Sequence, residues 1–353
     1  MTQNKTDLAV FIGRFQPPHN AHIATIKHAL TVAERVLVII GSAYKPADIK
    51  NPFNQFQRKD MIEACLTDDE LAHINFEYVS DNPYNDAAWI RDVQRAADQT
   101  LQSMGWKENT RCALIGHRKD YHTSVYLDMF PTYGLIEMPY LHALDATTVR
   151  ELLFAGQASW RRENRKRVAQ FLPEPVLNHL DDFVETIEYD RLCKESEFIR
   201  TYKLQWANSP YPPTFVTTDA VVVNMGHILL VQRKSAPGQG LWALPGGFIG
   251  QYETVAECVI RELVEETKIK VPTAVLKGSI RKEKRYDHPG RSTRGRTITT
   301  AFLIELHDRK LPKVKGADDA MQAKWFSLND FINMQHLMFE DHYHIITDLL
   351  GLG

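Results

Sequence analysis

Short continuous apolar runs alternate with amphipathic stretches over the first half of the chain. "LAVFIG" (residues 8–13) and "RVLVIIGSA" (35–43) read as buried strands. Between them, Ile23, Ile26, Leu30 and Ala33 recur at helical spacing in "AHIATIKHALTVAE". Strand, helix, strand in that order is a βαβ unit, which needs parallel strands and a right-handed crossover. The alternation continues. "RKDMIEACL" predicts a helix, "HINFEYVS" a strand, "AAWIRDVQRAADQTL" a helix and "RCALIGH" a buried strand. "TVRELLFAG" predicts a helix closing on Gly156. The pattern predicts a doubly wound α/β domain with a Rossmann-like parallel sheet.

The second half has another rhythm. "TTDAVVVNMGHILLVQRK" reads as two strands around a turn at residues 224–226. A Gly-rich loop, a strong helix and the alternating strand "RTITTAFLIEL" follow, which is α+β order. "FINMQHLMFEDHYHIITDLL" reads as one terminal amphipathic helix, so His336, His342 and His344 read as helix residues and not as a metal site. The basic run "WRRENRKR" reads as a solvated helix face. The Pro-rich "LQWANSPYPPTF" breaks the pattern before the second half. The expected domains are 1–185 and 206–353, joined by a linker over 186–205.

Composition changes little in this picture. A chain of 353 residues exceeds one ordinary core. With 42 basic and 44 acidic residues the net charge is −2, so no global basic field points to nucleic acid. The four cysteines, Cys65, Cys112, Cys193 and Cys258, form no CxxC clip and read as reduced thiols. No apolar run approaches a membrane span, and a soluble cytoplasmic protein is expected.

Two constellations carry chemistry. The first is "GRFQPPHNAH", directly after the first strand. Gly13 ends a parallel strand at its carboxyl edge, where ligands bind in open α/β sheets. The next helix starts near Asn20, so its free N–H groups and positive dipole end face the same place. His19 and His22, three apart across that start, can address one phosphate cluster. The second is "GGFIGQYETVAECVIRELVEETKI". Glu262, Glu265 and Glu266 share one helix face, while Val255, Val259 and Leu263 form the buried stripe. Carboxylates converging there suit Mg²⁺ or Mn²⁺, which bridge a diphosphate and lower the pKa of an attacking water.

The string G-R-F-x-P-x-H-x-x-H resembles the HxGH signature of the nucleotidylyltransferases, with Ala21 where the family has glycine. "KNPFNQFQRKDMI", "GHRKDYHTSVYLDMFP" and "DATTVR" resemble further motifs of the archaeal-type nicotinamide mononucleotide (NMN) adenylyltransferases. The resemblance implies attack of the NMN 5′-phosphate on the α-phosphorus of ATP, giving NAD and pyrophosphate with Mg²⁺. It implies that His19, His22 and Arg150 stabilise the ATP phosphates, with Gly13, Arg14 and Phe15 lining the strand-end loop. Gly116, Lys119, Asp120 and Thr147 stand at matching positions. Trp89 would stack on the nicotinamide ring with Asn85 beside it. Arg58 would meet the NMN phosphate or make a surface pair.

Gly247, Glu253 and the run 261–266 fall at the spacing of the Nudix box, with Lys268 in place of its final glycine. The second half thus resembles a Nudix hydrolase, a mixed sheet between helices. That implies Glu262 and Glu266 as main metal ligands, Glu265 as a further ligand or base, and Arg261 orienting the carboxylates. Gly246 and Gly247 would line the loop. "DHPGRSTRGRTITTAF" is similar to ADP-ribose pyrophosphatase-like members, so Arg291, Arg294 and Arg296 would offer guanidiniums to a diphosphate. The whole chain resembles the bifunctional NMN adenylyltransferase/Nudix hydrolases, handling NMN, ATP, NAD and ADP-ribose. The alternatives are another adenylyltransferase fused to a hydrolase of NADH or diadenosine polyphosphates, and a catalytically silent ADP-ribose sensor. Oligomeric state and the preference for NMN over nicotinate mononucleotide stay open.

Overall fold

The computed structural model describes residues 5–105, 110–118, 124–139 and 146–352. The chain divides into two compact units, Met1–Asn82 with Asp86–Cys193, and Pro83–Asn85 with Lys194–Gly353. Among the described residues no helix is long and apolar enough to cross a membrane.

The first unit is built on β1 (Thr6–Gly13), β2 (Ala33–Ile40), β3 (Ile74–Tyr78), β4 (Cys112–Gly116) and β5 (Gly134–Glu137). All neighbours pair parallel, in the order β3-β2-β1-β4-β5. Its helices include α1 (Asn20–Val32), α2 (Gln55–Glu63), α3 (Asp86–Ser103), α4 (Ala146–Leu153) and α5 (Glu174–Phe183). The pleat of β1 sends alternate residues to opposite layers. Leu8 and Val10 pack with Val93, Ala96 and Ala97 of α3, while Ala9 and Phe11 pack with Ile23, Ile26 and Ala29 of α1. A strand buried on both faces must be apolar throughout, which is why it reads as a continuous run. Full burial of each large side chain contributes about 1.5–3 kcal/mol. The strand order reverses between β1 and β4, so the carboxyl ends of these two strands open a crevice. Gly13 and Gly116 stand at its edges.

Two details differ from the sequence pattern. β5, "GLIE", is a four-residue edge strand and carries no readable alternation. α4 ends at Leu153, and Gly156, at φ +102°, instead precedes the short helix Gln157–Ser159.

The segment expected as a linker is helix α6 (Ile187–Leu204), and the division between units falls inside it, after Cys193. The second unit carries β6 (Thr214–Asn224), β7 (His227–Arg233), β8 (Trp242–Ala243), β9 (Gly246–Phe248), β10 (Ile280–Tyr286), β11 (Arg296–Glu305) and β12 (Ala320–Ser327). Its sheet runs β10-β11-β6-β7-β12, with β8 on β7 and β9 on β6; β11 and β6 are parallel. Met225 and Gly226, both at positive φ, form the expected hairpin turn. Helix α7 (Val255–Thr267) covers one face, with Val259, Ile260 and Leu263 against Ala220, Val222 and Leu229. Helix α8 (His342–Leu350) covers the other, with Ile345, Ile346 and Leu349 against Val221, Ile228 and Leu230.

The single terminal helix expected over residues 331–350 is corrected. The chain is broken there into Leu328–Phe331, the tight turn Gln335–Leu337 and α8. Met338 bridges to Trp242, and the Phe339 amide donates to the Trp242 carbonyl at 2.8 Å. Glu340 then takes φ +45°, which no helix interior allows. This break brings Phe339, Glu340 and His342 to the wall of a cavity.

Candidate active sites

In the first unit the site is assembled at the end of β1. A Cβ on Gly13 would lie 2.7 Å from Cζ of Phe15. Phe15 is buried at φ +51°, packed edge-on against Phe11 at 5.4 Å and His22 at 4.9 Å. The glycine thus makes room for the loop's own phenylalanine. Arg14, between them, is exposed.

His19 caps α1 in an extended conformation. Its amide donates to Nδ1 of His22 at 3.2 Å, and the two rings stack at 3.6 Å and 22°. An accepting Nδ1 assigns the ring proton of neutral His22 to Nε2. Burial first, then the charges of His19 and His117, pull the His22 imidazole well below its usual pKa. His117 follows Gly116 at the end of β4, so the fold brings a third histidine to this crevice. The motif "GHRKD" contains it, but nothing in spacing alone singled it out. Lys119 and Asp120 lie outside the described residues. A Cβ on Gly116 would stand 3.1 Å from Oη of Tyr126, so that strand end is closely packed.

Arg150 of α4 is buried and donates to the Gln16 carbonyl at 2.7 Å and to Oγ1 of Thr147 at 3.2 Å. A motif 134 positions away in sequence is therefore anchored to the loop that carries His19. Trp89 of α3 is half-buried, with Phe130 edge-on at 5.8 Å. Asn85 is exposed and groups with the second unit.

Arg58 has a different place from either one expected for it. It is 1% exposed. Its guanidinium donates to the carbonyls of Arg14 (2.7 Å), Gly41 (2.6 Å), Ser42 (3.2 Å) and Asn54 (3.2 Å). It ties together the loops after β1 and β2, and burial lowers its pKa to about 10. Because the role depends on the planar fork, Arg58→Lys is expected to destabilise the fold by about 2–3 kcal/mol. Chemical denaturation checks this. A Lys variant of wild-type stability with normal kinetics would contradict the clamp.

In the second unit the glycine loop and α7 meet. The Gly246 amide donates to Glu266 Oε2 at 3.0 Å. A Cβ on Gly247 would sit 2.5 Å from Oε1 of Glu262, so the carboxylate requires a glycine there. Thr254 and Glu257 close a reciprocal cap at the start of α7. Arg261 gathers the other carboxylates. Its Nη1 donates to Glu262 (2.9 Å) and Glu265 (2.8 Å), and Nε and Nη2 hold Glu253 at 2.9 and 2.6 Å. That pairing, first of all, takes Glu253 down to about 2. Glu266 is the opposite case: burial first, with Glu262 and Asp219 adding to it, pushes it up to about 8. Glu262 is also raised by burial. Among the described residues no three such side chains converge into a ready-made metal site. The donor chemistry still fits a hard dication, because Glu262 and the buried Glu266 are neighbouring carboxylates whose pKa values are both raised by burial, and a bound cation would offset that cost.

Lys268, where the Nudix box has glycine, ends α7 at φ +45° and ψ +34°. The turn keeps the left-handed geometry, and lysine bears a strain of about 1–2 kcal/mol there. Lys268→Gly is expected to stabilise the protein by roughly 0.5–1 kcal/mol with hydrolysis unchanged. A denaturation midpoint at or below wild type would contradict that.

A cavity of about 310 Å³ opens beside Glu266. Its walls include Gly246, Gly247, Arg233, Arg294, Asp219 and His342. Of the three arginines suggested for a diphosphate, Arg291 and Arg294 line the cavity. Arg291 is buried and held bidentate by Asp341 at 2.9 and 3.0 Å, while Arg296 donates to the Asp287 carbonyl at 2.5 Å. Sequence reasoning passed over Arg233 and Asp219, and read His342 as a helix residue with no part in a site. The Leu244 amide donates to His342 Nδ1 at 2.9 Å, which turns Nε2 toward Asp219 at 3.9 Å.

The comparisons with known proteins agree with this division. Residues 10–132 match the cytidylyltransferase-like family model, and residues 213–349 match the NUDIX domain. Over 189 residues the chain is 34% identical to the nicotinamide/nicotinic acid mononucleotide adenylyltransferase of Acinetobacter baylyi, covering 53% of this chain and 92% of that one. Over 135 residues it is 38% identical to the ADP-ribose pyrophosphatase of Methanocaldococcus jannaschii, covering 38% of this chain and 72% of that one. A crystal structure of a bifunctional NMN adenylyltransferase/ADP ribose pyrophosphatase from Francisella tularensis, complexed with AMP and a Mn ion, aligns over 98% of this chain and 99% of its own. The identity is 36% and the TM-score 0.88. The chain belongs to the family of bifunctional NMN adenylyltransferase/ADP-ribose pyrophosphatases.

Proposed function

We propose that the first unit joins NMN to ATP, releasing NAD and pyrophosphate, and that the second hydrolyses ADP-ribose to AMP and ribose 5-phosphate. One observation carries the reading. A stacked histidine pair at the β1–α1 junction and a buried glutamate beside an arginine-lined cavity occur on one chain.

In the first reaction an NMN phosphate oxygen forms a bond to the α-phosphorus of ATP as the bond to pyrophosphate breaks. The work is positioning and charge stabilisation. Nε2–H of His22 and the imidazole of His19 donate to phosphate oxygens at the positive end of α1. Arg150, steadied by Thr147 and the Gln16 carbonyl, adds a fixed cation. Gly13, Arg14 and Phe15 shape the loop, Gly116 stands at the opposite strand end, and the family resemblance gives Lys119 and Asp120 a part in binding the nucleotides. Trp89 faces the nicotinamide. A bound Mg²⁺ would neutralise the leaving pyrophosphate.

In the second reaction Glu262, Glu265 and Glu266 would hold Mg²⁺ or Mn²⁺, which supplies charge to the diphosphate and acidifies the attacking water. Arg261 orients Glu262 and Glu265, and Gly246 orients Glu266. Arg294 meets the diphosphate. Small nucleotides are the partners of both sites, and the cytoplasm is the expected compartment.

The test is product chromatography from two tubes containing Mg²⁺, one with NMN and ATP, one with ADP-ribose. NAD in the first and AMP in the second are expected. NAD without AMP would overturn the hydrolase substrate, and no NAD would overturn the first half.

A further inference from the structure

The cavity of the second unit has a wall that lies outside the NUDIX match. That match begins at residue 213, yet Phe198 of α6 lines the cavity together with Phe248 and Phe339. Two of these three rings carry a cation. The Arg233 guanidinium stands 4.0 Å from the Phe339 centroid, and that of Arg294 stands 5.2 Å from the Phe248 centroid. Ring quadrupoles thus hold both cations at the anion-binding end. Burial and mutual repulsion together lower the Arg233 pKa, the situation expected where an anion later sits between two guanidiniums.

Phe198 is different. It is 40% exposed, and it stacks along the helix on Tyr202 at 6.3 Å and 23°. Tyr202 meets Phe215 at 5.8 Å, Phe215 meets Phe248 at 5.8 Å, and Trp206 braces Phe215 at 5.7 Å. An open aromatic ring is therefore held in place by a train of rings that leads into the anion site. A ligand with a charged middle and a flat end matches this arrangement at both points.

We propose that Phe198 is a specificity-determining residue of the hydrolase site, stacking on the nucleobase of a nucleoside diphosphate-linked substrate while Arg233 and Arg294 hold the diphosphate. This rests on the hydrolase reading above. Glu195, one turn earlier on α6, is buried and accepts from the Gly238 amide at 3.1 Å. The neighbouring Pro237 carbonyl accepts from Arg233 Nε at 2.9 Å. One turn of α6 thus supplies the base contact and steadies the loop behind the diphosphate contact.

The test uses the full chain with Mn²⁺, and AMP and ribose 5-phosphate as separate ligands. Their affinities are read both by inhibition of ADP-ribose hydrolysis and by titration calorimetry, which needs no turnover. Phe198→Ala is expected to weaken AMP about tenfold and raise KM for ADP-ribose similarly, with kcat within about threefold. Ribose 5-phosphate affinity stays unchanged, and Phe198→Trp restores AMP binding. Unchanged AMP affinity overturns the proposal. So does equal weakening of both monophosphates, which would report a general collapse of the wall. If the wild type binds AMP but leaves ADP-ribose intact, the hydrolase reading fails, and the AMP titration still decides the role of Phe198.

Discussion

His22→Ala lowers the rate of NAD formation by about 10²–10³ while ADP-ribose hydrolysis stays within about twofold of wild type. The size follows from what the side chain is asked to do. Its Nδ1 is committed to the His19 amide, so Nε2–H is the end the proposed reaction turns toward a phosphate. The neutral ring, packed on Phe15 and stacked on His19, sits in its donating orientation before substrate arrives. A preorganised donor aimed at developing charge is worth far more than a mobile one. His22→Ala also frees the His19 amide and opens a gap beside Phe15, so a stability loss of about 1 kcal/mol accompanies it. Steady-state rates of both reactions on the folded variant check the prediction. A variant that forms NAD at wild-type rate would remove His22 from the chemistry.

Glu266→Gln abolishes ADP-ribose hydrolysis, with at least about a 10³-fold loss, and leaves NAD formation intact. Gln preserves the shape and still accepts from the Gly246 amide, so the change removes charge alone. The same substitution should stabilise the metal-free protein. The folded-state pKa of Glu266 is about 8, above the unfolded value near 4.3. The folded state therefore binds the extra proton between those values, and stability falls as pH rises through that window. The gain from Glu266→Gln should be absent near pH 4 and reach several kcal/mol, on the order of 5, by pH 8. By the same sign, the rise in Tm given by Mg²⁺ or Mn²⁺ should grow from pH 6 to pH 8 in the wild type and vanish in the variant. Thermal melts with and without metal at the two pH values separate these outcomes. A pH-independent metal effect would contradict the role given to Glu266.

The strands buried on both faces were legible because β1 and β2 have no solvent side and must be apolar at every position. The helix faces were legible because α7 keeps Val259 and Leu263 in the core and Glu257 exposed, although Glu266 at its far end is buried. The shared turn of Glu262, Glu265 and Glu266 was legible for the same reason, since residues at i, i+3 and i+4 lie on one turn of a helix. What escaped depends on contacts between distant segments. Arg58 looks like any exposed arginine until the ends of β1 and β2 supply carbonyls around it. Arg233 enters the cavity from the end of β7, and His342 enters it because the chain breaks at Met338–Glu340, where Met338 pairs with Trp242 nearly a hundred positions away. Phe198 sits in a helix whose pattern marks it as a connector, and its meeting with Phe248 runs through two further rings. Lys268 shows the reverse. The residue departs from the expected glycine, and the backbone adopts the glycine conformation regardless.

The most direct test of two separate phosphate chemistries on one chain is ³¹P NMR of a single tube holding wild-type protein, Mg²⁺, NMN, ATP and ADP-ribose. The account predicts that ATP signals give way to pyrophosphate and the diphosphate of NAD, while the ADP-ribose diphosphate gives way to two phosphomonoesters. Adding Glu266→Gln protein in place of wild type should leave the first conversion and stop the second, and His22→Ala protein should do the opposite. Loss of both conversions in either folded variant would contradict the account.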